Sequence, residues 1–257
     1  MRGLKISLAI LAISIFAQAQ DKAQRAIDLN DQGVREINSG KHDHAVQSLN
    51  LAIQTEPNYP MAFYNLGTAH FHLKQFDKAT GAFQRAIALH PVFSEAHNQL
   101  GIVYLQIADI QKAIEAFVQA IRITANNSVA YYNLGCAYIR LDKFKEAIWA
   151  LEKAKQLNHN NAEIRVNLGF ALSREKRYRE AIPEFEKAVA LNPDDHESRL
   201  FLGALHLQTR DRQSALAQYA KIKLVNPVLA ARLYSAIYRG KILDVKSARP
   251  GEIYLHK

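Results

Sequence analysis

The sequence predicts an all-α fold, in which an α-solenoid of six helix–turn–helix repeats is closed by a C-terminal capping helix. The main observation is a fixed spacing of 34 residues between small residues. It separates six glycines, which are Gly33, Gly67, Gly101, Gly135, Gly169 and Gly203. It also separates six alanines, which are Ala45, Ala79, Ala113, Ala147, Ala181 and Ala215. A constant period of this length is typical of stacked helical repeats.

The segment 128–161 shows what one repeat contains. Its apolar residues fall at helical spacing in two stripes, which are Tyr131, Leu134, Tyr138 and Leu141, and then Phe144, Ile148 and Leu151. The polar pair Asp142 and Lys143 separates the stripes, as expected for a turn between two helices. Glycine and alanine allow two helix backbones to approach closely, so Gly135 and Ala147 mark the predicted crossing.

The N-terminal residues 1–19 read as a signal peptide. Arg2 and Lys5 precede an apolar run over 6–16, and Ala17-Gln18-Ala19 forms an A-x-A cleavage site. The apolar run is shorter than the roughly 20 residues that span a bilayer. The alternative is a buried first helix. We expect cleavage near Gln20 and export to the periplasm or the exterior.

The repeat region covers residues 20–229, and its six units are 26–59, 60–93, 94–127, 128–161, 162–195 and 196–229. The second unit places Phe63, Leu66, Gly67, His70, Ala79, Phe83, Ala86 and Pro91 at the repeated positions. These residues resemble the tetratricopeptide repeat. The resemblance implies a right-handed α-solenoid whose concave groove holds peptides or partner helices.

The C-terminal part follows the last repeat. Residues 230–240 predict a capping helix, because Leu233 and Ile237 continue an apolar stripe that begins at Leu229 and Gly240 would end it. Residues 241–257 form a basic tail with short apolar clusters. The prolines Pro57, Pro91, Pro193 and Pro227 are each expected to end a second helix.

The positive charge of the chain is concentrated at its C-terminal end. The net charge is +9, yet residues 20–195 carry as many acidic as basic side chains. Residues 196–257 carry 11 Lys or Arg against 4 Asp or Glu. This asymmetry indicates either attraction to an anionic surface or a solubilising end cap.

Catalytic and cofactor motifs are missing from the sequence. It contains no G-x-S-x-G, no P-loop, no H-E-x-x-H and no pair of cysteines, which predicts a non-enzymatic protein without cofactor or metal. The lone Cys136 is interpreted as a packing residue. His42, His44, His70 and His72 are interpreted as packing or surface histidines, because residues two apart do not share a helix face.

One stripe of the first helix in each repeat is the candidate binding surface. In the family that the chain resembles, this stripe lines the groove. The predicted partner-binding residues are Tyr64, Thr68, His72, Asn98, Gln106, Tyr132, Arg140, Val166 and Arg174. On the same stripe, Phe71, Ile102, Leu105, Ile139 and Phe170 are better explained by packing between neighbouring first helices.

Two functional hypotheses follow. The first is an interaction scaffold that holds a peptide or partner segment in the groove, with tyrosines as anchors and arginines as contacts for acidic groups. The second is peripheral binding of an anionic envelope or membrane component through the basic C-terminal end. No nucleic acid and no transmembrane segment in the mature form are expected.

Overall fold

The computed structural model describes residues 2–239, and its side chains are described for residues 17–238. The chain divides into two compact units, Met1–Ile123 and Thr124–Lys257. The predicted basic tail 241–257 lies outside the described residues, as does Gly240. Among the described residues, no helix is both long and apolar enough to cross a bilayer.

The first unit is built from six helices. They are α1 (Arg2–Asn38), α2 (His42–Thr55), α3 (Pro60–His72), α4 (Phe76–Leu89), α5 (Ser94–Gln106) and α6 (Ile110–Ile123). Each helix packs against the next, and α3 also contacts both α1 and α5. This is a stack of three antiparallel hairpins.

The second unit shows the same pattern, with seven helices between residues 124 and 239. They are α7 (Ser128–Arg140), α8 (Phe144–Leu157), α9 (Ala162–Arg174), α10 (Tyr178–Leu191), α11 (His196–Gln208), α12 (Arg212–Lys223) and α13 (Pro227–Arg239). We call the odd-numbered helices α1–α11 the first helices and the even-numbered ones the second helices. Both units consist of stacked helical hairpins, which confirms the predicted all-α class.

The repeated small residues lie where the two helices of a hairpin meet. A β-carbon on Gly135 would lie only 2.6 Å from Leu151 Cγ, and one on Gly67 would lie 2.8 Å from the Phe83 ring. All six repeated alanines are fully buried. Glycine thus provides the space for a large side chain from the second helix, as the sequence predicts.

The turn inside each hairpin uses a left-handed residue at one repeated position. These residues are Gly40, Lys74, Ala108, Asp142, Lys176 and Arg210, with φ between 55° and 75°. The following residue donates its N–H back to a carbonyl of the first helix, for example Lys143 to Tyr138 at 2.9 Å. This is the hydrogen bond that closes many helix C-termini.

The last helix begins earlier than the predicted span 230–240. Pro227 is the first residue of α13 and does not end a second helix. The Asn226 side chain accepts a hydrogen bond from the Leu229 N–H at 3.1 Å, so asparagine and proline together start the helix. Leu233 of α13 packs against Gly203, because a β-carbon on this glycine would lie 2.6 Å from Leu233 Cδ2.

Residues 2–19, predicted as a signal peptide, belong to the continuous helix α1. Ala17, Gln18 and Ala19 are exposed, and Ala26 is the first buried side chain among those described. Among the described side chains of α1, burial therefore begins at the first residue of the predicted first repeat.

Candidate partner-binding surface

The nine predicted residues are distributed over the first helices of both units. In the first unit, α3 carries Tyr64, Thr68 and His72, and α5 carries Asn98 and Gln106. In the second unit, α7 carries Tyr132 and Arg140, and α9 carries Val166 and Arg174. We describe the two units separately.

In the first unit, Tyr64 is as much a packing residue as a surface residue. Its ring centroid lies 5.1 Å from that of Phe93 and 5.8 Å from that of Phe83. Burial raises the pKa of Tyr64 above its usual value. The Thr68 hydroxyl donates to the Tyr64 carbonyl at 3.1 Å, so it is already satisfied within α3.

His72, at the end of α3, is exposed and stacks on His42, which opens α2. The two imidazole rings are 4.7 Å apart and nearly parallel, with an interplanar angle of 8°. Among the described residues, no group of three His, Cys, Asp or Glu side chains could hold a metal ion. The pair forms a stacking contact between α2 and α3 of the first unit.

In the second unit, the side chain of Tyr132 is partly buried and contacts the interior of the stack. Its ring packs on the buried cluster that includes Ile139 and Phe170. Its hydroxyl accepts a hydrogen bond from Asn167 Nδ2 at 3.2 Å and is hydrogen-bonded to Cys136. Burial raises the pKa of the Cys136 thiol to about 12, so it is a neutral packing residue at physiological pH.

Arg174 is positioned by two aromatic rings and a carboxylate. Its guanidinium carbon lies 4.3 Å from the Phe144 ring centroid and 5.8 Å from that of Phe170. A guanidinium nitrogen lies 3.7 Å from an Asp142 carboxylate oxygen. Stacking on an aromatic face fixes the plane of the guanidinium group while its edge still carries N–H donors.

Asn98 and Val166, predicted to contact a partner, are instead buried, with 7% and 4% of their surface exposed. Both stand three residues before the repeated glycine, the position that Tyr64 and Tyr132 occupy in their own repeats. A side chain at this position points into the stack, and only a long aromatic extends far enough to reach the surface. Asn98 and Val166 are too short to do so.

The alternative interpretation of the apolar stripe residues is confirmed for three of the five. Leu105, Ile139 and Phe170 are buried to 1% exposure or less. Phe71 and Ile102 are partly buried. Gln106 and Arg140, at the ends of α5 and α7, are also partly exposed and remain candidate contacts.

Buried asparagines form a feature that the sequence analysis did not predict as contacts. Asn65 Nδ2 donates to Asn30 Oδ1 at 2.8 Å, which links α3 to α1 inside the first unit. In the second unit, Asn167 is fully buried and its Nδ2 also donates to the Glu163 carbonyl at 3.0 Å. The repetition of asparagine at 65, 133 and 167 was the available signal.

A shallow cavity of about 460 Å³ lies away from the stripe, at the turns α9–α10 and α11–α12 of the second unit. Its lining includes Lys176, Arg179 and Arg210, together with Thr209 and Glu180. None of the nine predicted residues lines this cavity.

Comparison with known proteins supports the fold. The sequence-family model of the tetratricopeptide repeat protein 21 C-terminal ARM domain matches residues 12–199. A sequence-family model of the tetratricopeptide repeat matches residues 172–237. No curated protein sequence matches the chain.

Solved structures of similar fold include three proteins at low sequence identity. PilF of Pseudomonas aeruginosa is 19% identical with a TM-score of 0.73, over 84% of this chain and 99% of PilF. YrrB, described as a TPR protein with an unusual peptide-binding site, is 22% identical with a TM-score of 0.66, over 74% of this chain and 99% of YrrB. MamA of Desulfovibrio magneticus RS-1, solved from residue 41 to its end, is 24% identical with a TM-score of 0.60, over 66% of this chain and 97% of that MamA chain. These similarities concern the fold.

Proposed function

This chain belongs to the tetratricopeptide-repeat family, and we propose that it is a non-enzymatic scaffold that holds a peptide or partner segment on its first helices. Repeat stacks of this kind bury their small crossing residues and leave one face of each first helix for contacts. The proposal is made for the second unit, where the candidate residues are best positioned.

The observation that carries the proposal is the stacking of Arg174 on Phe144, 4.3 Å from the ring centroid. A cation held by an aromatic ring loses less rotamer freedom when it binds, so more of the contact energy is available for affinity. Arg140 is the last residue of α7, and Arg174 is the last residue of α9. Since α7 and α9 contact each other, both arginines lie at the same end of neighbouring helices.

These arginines favour an extended peptide with acidic side chains as the ligand. Guanidinium groups bind carboxylates through charge-assisted hydrogen bonds, and the exposed part of Tyr132 adds an aromatic contact on the same two helices. The peptide-binding site named for YrrB, a protein of similar fold, supports a peptide as the ligand.

The test uses an array of acidic and neutral peptides, followed by calorimetry with the strongest binder. Replacing both Arg140 and Arg174 with Ala should weaken binding about tenfold or more, because two charge-assisted contacts are lost. The matched control is Arg179→Ala, an exposed arginine of the second helix α10. Equal affinity of the double variant and the wild type would contradict the proposal, provided that both melt at similar temperatures.

We further propose that the protein is exported after cleavage near Gln20. The support is the basic, apolar and A-x-A pattern of residues 1–19. Mass spectrometry of the chain expressed with its full N-terminus should find a mature form that starts at or near Gln20. Retention of Met1 in the mature protein would overturn this proposal.

A further inference from the structure

The turn between α12 and α13 carries aliphatic side chains that face solvent. Leu224 is 87% exposed, Val228 is 73% exposed and Val225 is 57% exposed. One repeat earlier, Asp194 stands at the position of Val228, and Leu191 at the position of Val225 is 36% exposed. The α12–α13 turn therefore exposes more aliphatic surface than the turn one repeat before it.

The turn has a defined conformation. The N–H groups of Val225 and Asn226 both donate to the Ile222 carbonyl, at 3.1 Å and 2.7 Å. Ile222 and Leu229, on either side of the turn, are buried in the cluster that closes the second unit. The same backbone therefore buries one set of aliphatic residues and presents another to the solvent.

The charged residues that flank this turn in the sequence are all basic. Between Asp211 and Asp244 the sequence has no acidic residue. Basic residues in this interval include Lys221 and Lys223 in the last turn of α12, and Arg232 in α13. An exposed aliphatic group beside cations is complementary to a surface that is negative outside and apolar beneath.

We propose that the α12–α13 turn inserts Leu224, Val225 and Val228 into the interface of an anionic lipid bilayer, while Lys221 and Lys223 contact the headgroups. The basic tail of the chain and a second copy of this end are poor alternative occupants, because both would bring positive charge against positive charge. The proposed insertion is independent of peptide binding on α7 and α9, so either can fail without the other.

The first test measures co-sedimentation of the full chain with vesicles of phosphatidylcholine alone or with about 30% phosphatidylglycerol. Binding should require the anionic lipid. Leu224→Asp should reduce it roughly tenfold or more, since a charge replaces an inserted side chain. The double substitution of Lys221→Glu and Lys223→Glu should abolish binding to the anionic vesicles.

The matched control for charge is Lys176→Glu with Arg210→Glu, which makes the same change at two other turns of the second unit. This variant should keep most of the binding. If both pairs of substitutions weaken binding equally, or if Leu224→Asp has no effect, attraction by overall charge explains the result and the insertion proposal fails. Binding of a poly(dT) oligonucleotide in place of vesicles would overturn it as well.

A second test detects insertion directly. Leu224→Cys can be labelled with an environment-sensitive dye at the new thiol alone, because Cys136 is only 2% exposed and its pKa is about 12. The dye at position 224 should shift its emission to the blue with anionic vesicles. The same dye on Val129→Cys, a site that is 58% exposed on α7, should not. No shift at position 224 would refute insertion.

Discussion

The side-chain amide of Asn167 donates a hydrogen bond to the hydroxyl of Tyr132, with 3.2 Å between Nδ2 and the phenolic oxygen. This hydrogen bond joins α7 to α9 and is partly buried. It makes a residue of the candidate binding surface part of the folded framework.

Tyr132→Phe should therefore lower the free energy of unfolding by about 1–2 kcal/mol, because Asn167 and Cys136 both lose a partner in a buried setting. Chemical denaturation followed by circular dichroism measures the change. The control is Tyr131→Phe, where the ring contact with Trp149 at 5.9 Å is retained. A Tyr132→Phe protein as stable as the wild type would show that this hydrogen bond contributes nothing net.

Gly135→Ala should destabilise the protein by about 1–3 kcal/mol through overpacking. The new methyl group would lie 2.6 Å from Cγ of Leu151, which is fully buried. Gly81→Ala is the matched control, because a β-carbon there meets nothing within 4 Å and Gly81 lies inside α4. That variant should gain up to about 1 kcal/mol, since alanine favours the helix. Equal thermal melts for both variants would contradict the assigned crossing.

Leu233→Ala should cost about 2–5 kcal/mol, because Leu233 is fully buried and fills the space above Gly203. Leu224→Ala, the same substitution at an 87% exposed site, should change stability by less than about 0.5 kcal/mol. Urea unfolding curves of the two variants provide the comparison. A mild effect at Leu233 would mean that α13 does not close the second unit.

His70 should make the first unit less stable in acid. Burial lowers the pKa of His70 below its ordinary value of 6.5, and the positive charge of Lys78 acts in the same direction. The hydrogen bond between His70 Nδ1 and Gln75 Oε1, at 2.8 Å, opposes this shift. The unfolded chain therefore takes up the proton first. The contribution of neutral His70 to the free energy of unfolding is therefore complete above pH 6.5. It is lost as the pH falls through the pKa of His70 in the folded protein.

Thermal melts at about pH 7.5 and pH 5.5 test this expectation against a His70→Leu variant, which cannot titrate at this position. Leucine already occupies the corresponding place at Leu172. The other histidines titrate in both proteins, so the difference isolates His70. An identical loss of melting temperature in the two proteins would show that His70 is not responsible.

The fold was predictable because steric needs recur at a fixed spacing. Each repeat needs a glycine opposite a large residue and also a buried alanine. The glycine and the alanine can both be recognised in the sequence by their spacing of 34 residues. The left-handed turn residues were not predictable in this way. Gly40 has φ of 75°, but Ala108 and Lys176 adopt φ of 61° with no glycine to indicate it. The hairpin geometry imposes that conformation on whatever residue is present.

The candidate surface was harder to predict, because helical position alone does not separate surface from interior. Tyr64 and Asn98 occupy the same place in successive repeats, and only the length of the side chain decides which one reaches solvent. The aromatic partners of Arg174 were also not predictable from the sequence. Phe144 lies beyond a turn, and the sequence pattern assigns Phe170 to packing alone.

The pairing of Gly203 with Leu233 limits how this chain can lengthen by duplication. The other repeated glycines receive a Leu or Phe from their own hairpin, 16 residues later, as with Gly169 and Phe185. Position 219 holds a tyrosine instead, and α13 supplies the missing group. A copied hairpin inserted before α11 would bring its own partner for its glycine. One inserted after α12 would separate Gly203 from Leu233, so it would also require a Leu or Phe at position 219.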